Sequence, residues 1–195
     1  PDGPRRPLTS RHGPLGRVGS GVPGCGGSLT EGRFPVPHSP DEVAAAVATY
    51  RSLREAIARG EQTWPALADL FTDDAVYIDP AWGRIEGRDE IRTFMEESMT
   101  GLEDWTFPIE FIAIEGDQVV IKWTQELPGT KADGSRWTQS GYSTLLYAGD
   151  GRFSYEEDLL NMAHVIEDIV ASGRRPGDGF TAPPSNPNRD VSRPA

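Results

Sequence analysis

The sequence predicts an α+β domain in which helices come first and a sheet follows. Three observations support this: apolar residues recur every three to four positions in 40–59, they alternate with polar residues after 106, and short turn signals separate the alternating runs. The chain has 195 residues, of which 36% are hydrophobic and 25% charged, so it is long enough for one globular domain with its own core.

The first helix is predicted from about Pro40 to Arg59. Ser39 is a good N-cap, and proline is favoured at the first helical position. A mostly apolar stripe runs along this segment, and Gly60 provides a stop. The stripe consists of Val43, Val47, Tyr50, Leu53, Arg54 and Ile57.

Three shorter elements are expected next. A short helix is predicted at 64–70, and a strand is predicted at 75–79, where Pro80 ends it. A second, longer helix is predicted at 87–99, with Ile91, Phe94 and Met95 on one side.

Four strands joined by turns rich in glycine and aspartate then predict an antiparallel meander, at 106–114, 118–127, 136–147 and 152–159. A last helix is expected from Asn161, its N-cap, to Ser172, before Gly173.

Glycine and proline are concentrated at the two ends of the chain, with 17 in residues 1–40 and eight in 173–195. Such composition is typical of disordered segments. We therefore expect a disordered N-terminal segment over 1–37, a folded domain over 38–173 and a disordered tail over 174–195.

Charge and composition exclude several function classes. Residues 41–172 hold 26 acidic and 10 basic side chains, a net charge of −16, which disfavours nucleic-acid binding and leaves a neutral or basic small partner open. No apolar run is long enough to span a membrane, so a cytoplasmic protein is expected. With one cysteine, Cys25, and three histidines, neither a metal site nor a cofactor is predicted.

One stretch carries a family resemblance. The run Leu-Phe-Thr-Asp-Asp-Ala-Val-Tyr-Ile-Asp-Pro at 70–80, then Gly83 and Glu-Gly-Arg-Asp-Glu-Ile-Arg-Thr-Phe at 86–94, resembles the SnoaL-like polyketide cyclase and ketosteroid isomerase group of the nuclear transport factor 2-like superfamily. The resemblance spans roughly 41–172. It implies a cone: a strongly bent antiparallel sheet wrapped around the N-terminal helices, a single deep pocket for a hydrophobic small molecule, and often a homodimer through the sheet.

The resemblance also implies a general base. In ketosteroid isomerases this is the carboxylate just before the proline that ends the first strand, which here is Asp79. The matched positions of the two oxyanion donors hold Leu53, one turn from Tyr50, and Ser143 instead of a tyrosine and a carboxylic acid. Steroid isomerisation is therefore not expected. The alternative for Asp79 is a residue that only caps the turn before Trp82.

The last strand offers a second set of carboxylates. Alternation places Ser154, Glu156, Asp158 and Leu160 on the face that lines the pocket in the resembled fold, although a slip of one residue would bring Glu157 in instead. Two carboxylates this close raise each other's pKa. With Arg84, Arg88 or Arg136 as counter-ion, the set resembles the water-activating Asp–Arg–Asp site of limonene epoxide hydrolases. The alternative is a solvated strand rim.

We therefore predict two kinds of site residue. The candidate catalytic residues are Asp79, Glu156 and Asp158. The candidate ligand-binding residues are Tyr77, Trp82, Trp123, Gln125, Tyr142, Ser143 and Asn161. Two functions stay open: a cofactor-free isomerase, cyclase, dehydratase or hydrolase acting on an apolar substrate, and a non-catalytic module for ligand binding or dimerisation.

Overall fold

The computed structural model describes residues 38–194. The segment predicted to be disordered at 1–37, with Cys25, lies outside the described residues.

Three α-helices are present: α1 at Pro40–Ala58, α2 at Arg88–Met99 and α3 at Met162–Ser172. The Ser39 side chain accepts a hydrogen bond from the amide of Glu42, whose carboxylate accepts from the amide of Ser39, so a capping box starts α1. Asn161 caps α3 as predicted, and Gly173 ends it in the left-handed conformation. A 3₁₀ helix at Trp64–Leu70 follows α1.

Six strands form one open curved sheet in the order β2-β1-β6-β5-β4-β3. The strands are β1 (Phe71–Asp79), β2 (Gly83–Glu86), β3 (Ile109–Glu115), β4 (Gln118–Thr130), β5 (Arg136–Gly149) and β6 (Arg152–Leu160). Neighbouring strands are antiparallel except β1 and β6, which run parallel. The sequence predicted the meander β3–β6, but it missed the four-residue strand β2.

A bulge between β5 and β6 sets which side chains of β6 face the helices. Leu146 pairs with Tyr155, but the next residue, Tyr147, pairs with Phe153, so β6 carries one extra residue there. Phe153 therefore lies in the main core, although strict alternation, with Ser154 and Glu156 on the face that lines the pocket, predicts Phe153 on the outer face. Beyond the bulge, Glu156 occupies the helix-facing side, as the alternation predicted.

The main core lies between the helices and one face of the sheet. It contains Val43 and Tyr50 from α1, Ile91 and Met95 from α2, and Ile121 from β4, all buried. A smaller cluster of Val76, Ile78 and Tyr155 lies on the opposite face of the sheet.

Residues 174–194 contain no helix or strand. They nevertheless contact the domain at several points: Arg174 pairs with Asp104, the Gly177 amide donates to the Gly101 carbonyl, and the Arg84 amide donates to the Asn188 carbonyl. Their disorder stays a prediction. Within the described part of the chain, no helix is long and apolar enough to cross a membrane.

Candidate functional site

A cavity of about 870 Å³ lies between the helices, the helix-facing side of the sheet and the C-terminal segment. Its walls are rich in aromatic side chains that meet edge to face. The ring centroid of Phe107 lies 5.3 Å from that of Trp64 and 5.9 Å from that of Trp123. The ring centroids of Trp82 and Phe94 are 5.7 Å apart. A mostly apolar, aromatic cavity with a few polar groups suits a flat hydrophobic molecule.

Asp79 lines this cavity at the end of β1. Its Oδ1 accepts hydrogen bonds from the backbone amides of Ala81 and Trp82, each at 2.7 Å. The carboxylate therefore caps the turn before Trp82 and also faces the cavity. The sequence left these two positions open as alternatives for Asp79, and the structure combines them. Burial and, to a smaller extent, the charge of Asp158 raise the pKa of Asp79, the two backbone amides oppose the shift, and the resulting pKa is about 6.

Asp158 lies on β6, directly across the strand pair from Ser143. Tyr77 donates its hydroxyl to Oδ2 at 2.6 Å, and Ser143 donates to Oδ1. The indole Nε1 of Trp123 donates in turn to the Ser143 hydroxyl at 3.0 Å, which directs the serine proton toward Asp158. Burial raises the pKa of Asp158, while the hydrogen bonds from Ser143 and Tyr77 lower it.

Glu156 lies behind the cavity surface and is only 1% exposed. The hydroxyl of Tyr50 donates to its Oε1 at 3.0 Å, and Arg54 donates to that hydroxyl at 3.3 Å. Its Oε2 is buried with no hydrogen-bond partner among residues 38–194. Burial and the nearby charge of Asp158 raise the pKa of Glu156 to about 8, so this carboxyl is largely protonated at neutral pH.

Arg54 supplies the positive charge beside these carboxylates, and the sequence reasoning missed it. The expected counter-ions point elsewhere: Arg84 pairs with Glu86, Arg88 with Asp73, and Arg136 with Glu126. Arg54 is 8% exposed, lines the cavity and donates to the carbonyl of Phe107 at 3.2 Å. The sequence feature that could have revealed this role is the position of Arg54 within the apolar stripe of the first helix, one turn after Tyr50.

The predicted ligand-binding residues divide into three groups. Four line the cavity: Tyr77, Trp82, Trp123 and Gln125. Ser143 lies behind Asp158 and reaches the cavity through it. Tyr142 and Asn161 do not line it.

The structure corrects the prediction that Tyr142 binds the ligand, and the cause is simple. Successive side chains on a strand point to opposite faces, so Tyr142 and its neighbour Ser143 cannot both face the helices. Ser143 is buried at 1%, whereas Tyr142 is 39% exposed on the other face, where the Lys122 ammonium lies 5.3 Å from its ring. Asn161 is exposed, and its side chain accepts from the His164 amide at the start of α3.

Gln125 has the partner that a polar side chain on an apolar wall requires. Its Nε2 donates to Oε1 of Gln139 at 2.9 Å, and Gln139 donates to Asp168 on α3. This chain of hydrogen bonds connects the cavity wall on β4 through β5 to α3.

Gly141 is a second residue that the sequence reasoning missed. A Cβ atom at this position would overlap the indole ring of Trp123, which lies across the strand pair. The glycine therefore leaves the space in which Trp123 turns its Nε1 toward Ser143. Sequence alone offered no sign of this role, since a glycine within a strand has several explanations.

Fold and site together define an α+β domain with an aromatic cavity whose wall carries carboxylates. Within residues 38–194, no group of three or more His, Cys, Asp or Glu side chains is arranged to hold a metal ion.

The chain belongs to the SnoaL-like domain family, whose model matches residues 50–156. Two proteins named as SnoaL-like polyketide cyclases have similar structures. The protein from a Jannaschia species is 16% identical with a TM-score of 0.53, and the similarity covers 71% of this chain and 98% of that one. The protein from Shewanella putrefaciens is 16% identical with a TM-score of 0.52, over 68% of this chain and 88% of that one.

A nuclear transport factor 2-like protein of unknown function from Burkholderia pseudomallei is 18% identical with a TM-score of 0.50, over 67% of this chain and 98% of that one. At these identities the similarities establish the fold alone. No curated protein sequence matches the chain.

Proposed function

We propose that the protein is a cofactor-free enzyme that transfers a proton on a flat, apolar carbonyl compound, with Asp79 as the base. One observation carries this proposal. Two backbone amides hold Oδ1 of Asp79, while Oδ2 makes no hydrogen bond within residues 38–194 and the carboxylate lines an aromatic cavity. An oriented carboxylate with a free oxygen is suited to removing a proton from carbon.

The protonation state of Asp79 agrees with this role. Because its pKa is raised to about 6, the group is mostly ionised at neutral pH and is more basic than an ordinary aspartate. A base whose pKa lies just below the working pH combines availability with proton-accepting strength.

The cavity also supplies groups that stabilise a developing enolate. Tyr50 and Arg54 line the cavity, and burial keeps the pKa of Tyr50 well above its usual value, so its hydroxyl stays protonated. In this proposal the substrate oxygen takes the place next to the Arg54 guanidinium and the Tyr50 hydroxyl, which are the donors of this wall. Asp158 lies across the strand pair from Ser143, the position at which the resemblance expects a carboxylic acid, and there it accepts hydrogen bonds from Tyr77 and Ser143.

The test is exchange of carbon-bound hydrogen in heavy water. A panel of flat apolar ketones and lactones is incubated with the full chain, and deuterium gained beside the carbonyl is measured by mass spectrometry. Asp79→Asn keeps the acceptor for the two backbone amides but cannot take a proton. We expect exchange to fall by on the order of a hundred-fold or more, with ligand affinity changed little.

Asp74→Asn is the matched control, because Asp74 lies on the same strand but is exposed. It should exchange like the unchanged protein. Equal exchange in the Asp79→Asn variant would remove Asp79 from the chemistry.

A ligand-binding module without catalysis is the second candidate, and one observation favours it. Most polar groups of the site already have partners: Tyr77 and Ser143 donate to Asp158, and Arg54 donates to the Tyr50 hydroxyl, which donates to Oε1 of Glu156. Such a network holds its shape without a ligand. Binding of the panel with no exchange by the unchanged protein would favour this candidate.

A homodimer through the sheet also stays a proposal. Tyr142 and Leu159 are 39% and 66% exposed and belong to adjacent strands of the sheet. Leu159→Asp should shift a dimer toward monomer in sedimentation, while a monomeric unchanged protein would refute the proposal.

A further inference from the structure

The C-terminal strap, residues 174–194, forms part of the cavity wall. It contributes eleven of the 41 residues that line the cavity, among them Phe180, Pro183, Pro184 and Pro187. The strap follows α3, and its apolar side chains face the same cavity as the aromatic residues of the domain. The space available to a ligand therefore depends on where the strap lies.

Two glycines bring the start of the strap into close contact with the domain. The Gly177 amide donates to the Gly101 carbonyl at 2.8 Å. A Cβ atom on Gly177 would lie 3.3 Å from the Cα of Gly101, and a Cβ on Gly101 would lie 2.9 Å from the Gly177 carbonyl oxygen. This backbone contact has no room for a side chain on Gly101 and holds even a Cβ on Gly177 tightly against the Gly101 backbone.

A second contact holds the far end of the strap against β2. The Arg84 amide donates to the Asn188 carbonyl at 2.8 Å, and the Arg84 side chain donates to the Ser192 carbonyl at 2.6 Å. The Arg84 side chain is only 9% exposed. A Cβ on Gly83 would overlap the backbone of Asn188, so this residue also permits the close approach.

The two contacts differ from the packing that holds the rest of the domain. Almost every strap residue is exposed, and the strap has no helix or strand of its own. Segments held by a few exposed hydrogen bonds open at much lower cost than a packed core. The strap can therefore leave the cavity while the helices and sheet stay folded.

We infer that the C-terminal strap is a removable wall of the ligand cavity, and that exchange of ligand requires its release from Gly101 and Arg84. This inference rests on the proposed function only in taking the cavity as a ligand site. It adds a segment that controls access to the cavity and limits the size of what the cavity accepts.

Acrylamide quenching of tryptophan fluorescence tests the inference on the full chain without a ligand. Four of the five tryptophans line the cavity, namely Trp64, Trp82, Trp105 and Trp123. Gly177→Val should displace the strap and raise the Stern–Volmer quenching constant about two-fold. Asp178→Val is the matched control, because it adds a valine to an exposed neighbour of Gly177 and should leave quenching unchanged.

Hydrogen exchange of residues 174–194, followed by mass spectrometry, reports strap release separately. Faster exchange there with unchanged quenching would overturn the inference, because the strap would have left without opening the cavity. Arg84→Gln is a second variant that weakens the other contact, because it removes the side-chain hydrogen bond to Ser192 and keeps the backbone bond to Asn188. If neither variant speeds exchange, Gly101 and Arg84 do not hold the strap and the inference is equally overturned.

The quenching and hydrogen-exchange results do not depend on whether the protein catalyses deuterium exchange of a substrate. A chain whose quenching rises in both variants, but which catalyses no deuterium exchange, would support the strap and refute the proposed proton transfer.

Discussion

The charge state of Glu156 gives a prediction with a defined sign. Its carboxyl is buried near Asp158, and its pKa is raised to about 8, whereas in the unfolded chain it returns to about 4.5. Between these values the folded protein holds a proton that the unfolded chain has released. Stability from this group is therefore complete below pH 4.5 and is lost as the pH rises through 8.

The magnitude follows from proton linkage. One proton held by the folded state alone lowers the unfolding free energy by about 1.4 kcal/mol for each pH unit between the two pKa values, so the loss between about pH 5 and pH 8 is roughly 3.5 kcal/mol. Glu156→Gln removes the titration but keeps an oxygen acceptor for the Tyr50 hydroxyl. We expect the variant to resemble the unchanged protein near pH 5 and to be the more stable of the two near pH 8.

Urea unfolding at a series of pH values measures this difference. Glu157→Gln is the matched control: it removes the neighbouring carboxylate, which accepts from Tyr155 at the other face of the sheet. Only Glu156→Gln should flatten the pH dependence. A slope identical to that of the unchanged protein would refute the assignment of a buried, protonated Glu156.

Three further predictions follow from the site. The rate of deuterium exchange should rise with pH through about 6, as Asp79 ionises; a rate that is flat from pH 5 to 8 would contradict its role. Gly141→Ala should cost about 1–3 kcal/mol of stability and shift the emission of Trp123, because the added carbon overlaps the indole; an unchanged melting temperature would refute the packing role. Tyr77→Phe should raise the pKa of Asp158 and cost about 1 kcal/mol, which carboxyl titration by NMR and urea unfolding measure; no change in either would show that the hydrogen bond contributes nothing.

Local signals were sufficient for most of the fold. The capping residues placed the ends of α1 and α3 within one or two residues, and the turns separated β3 to β6. The parallel pairing of β1 with β6 was not predicted, since it joins strands about 80 residues apart and is decided by packing rather than by sequence near either strand. Strand β2 was missed because four residues between turns carry too little periodicity.

The site was only partly accessible to the same reasoning. Asp79 followed from its place before a proline, and alternation placed Glu156 and Asp158 on one face. Arg54 was missed because a charged side chain within an apolar stripe gives no sign of which groups it meets across the core. The bulge before Glu156 was also invisible, and it moved Phe153 to the opposite face from the one predicted.

The contact between Asn188 and β2 also affects the edge of the sheet. β2 is the outermost strand on its side, and an edge strand with free backbone groups is a template for pairing with another chain. By accepting from the Arg84 amide, Asn188 occupies one of those groups, and the strap backbone lies against Gly83 beside it. A version of the protein cut after α3 would therefore expose this edge and gain a route to self-association through added strands.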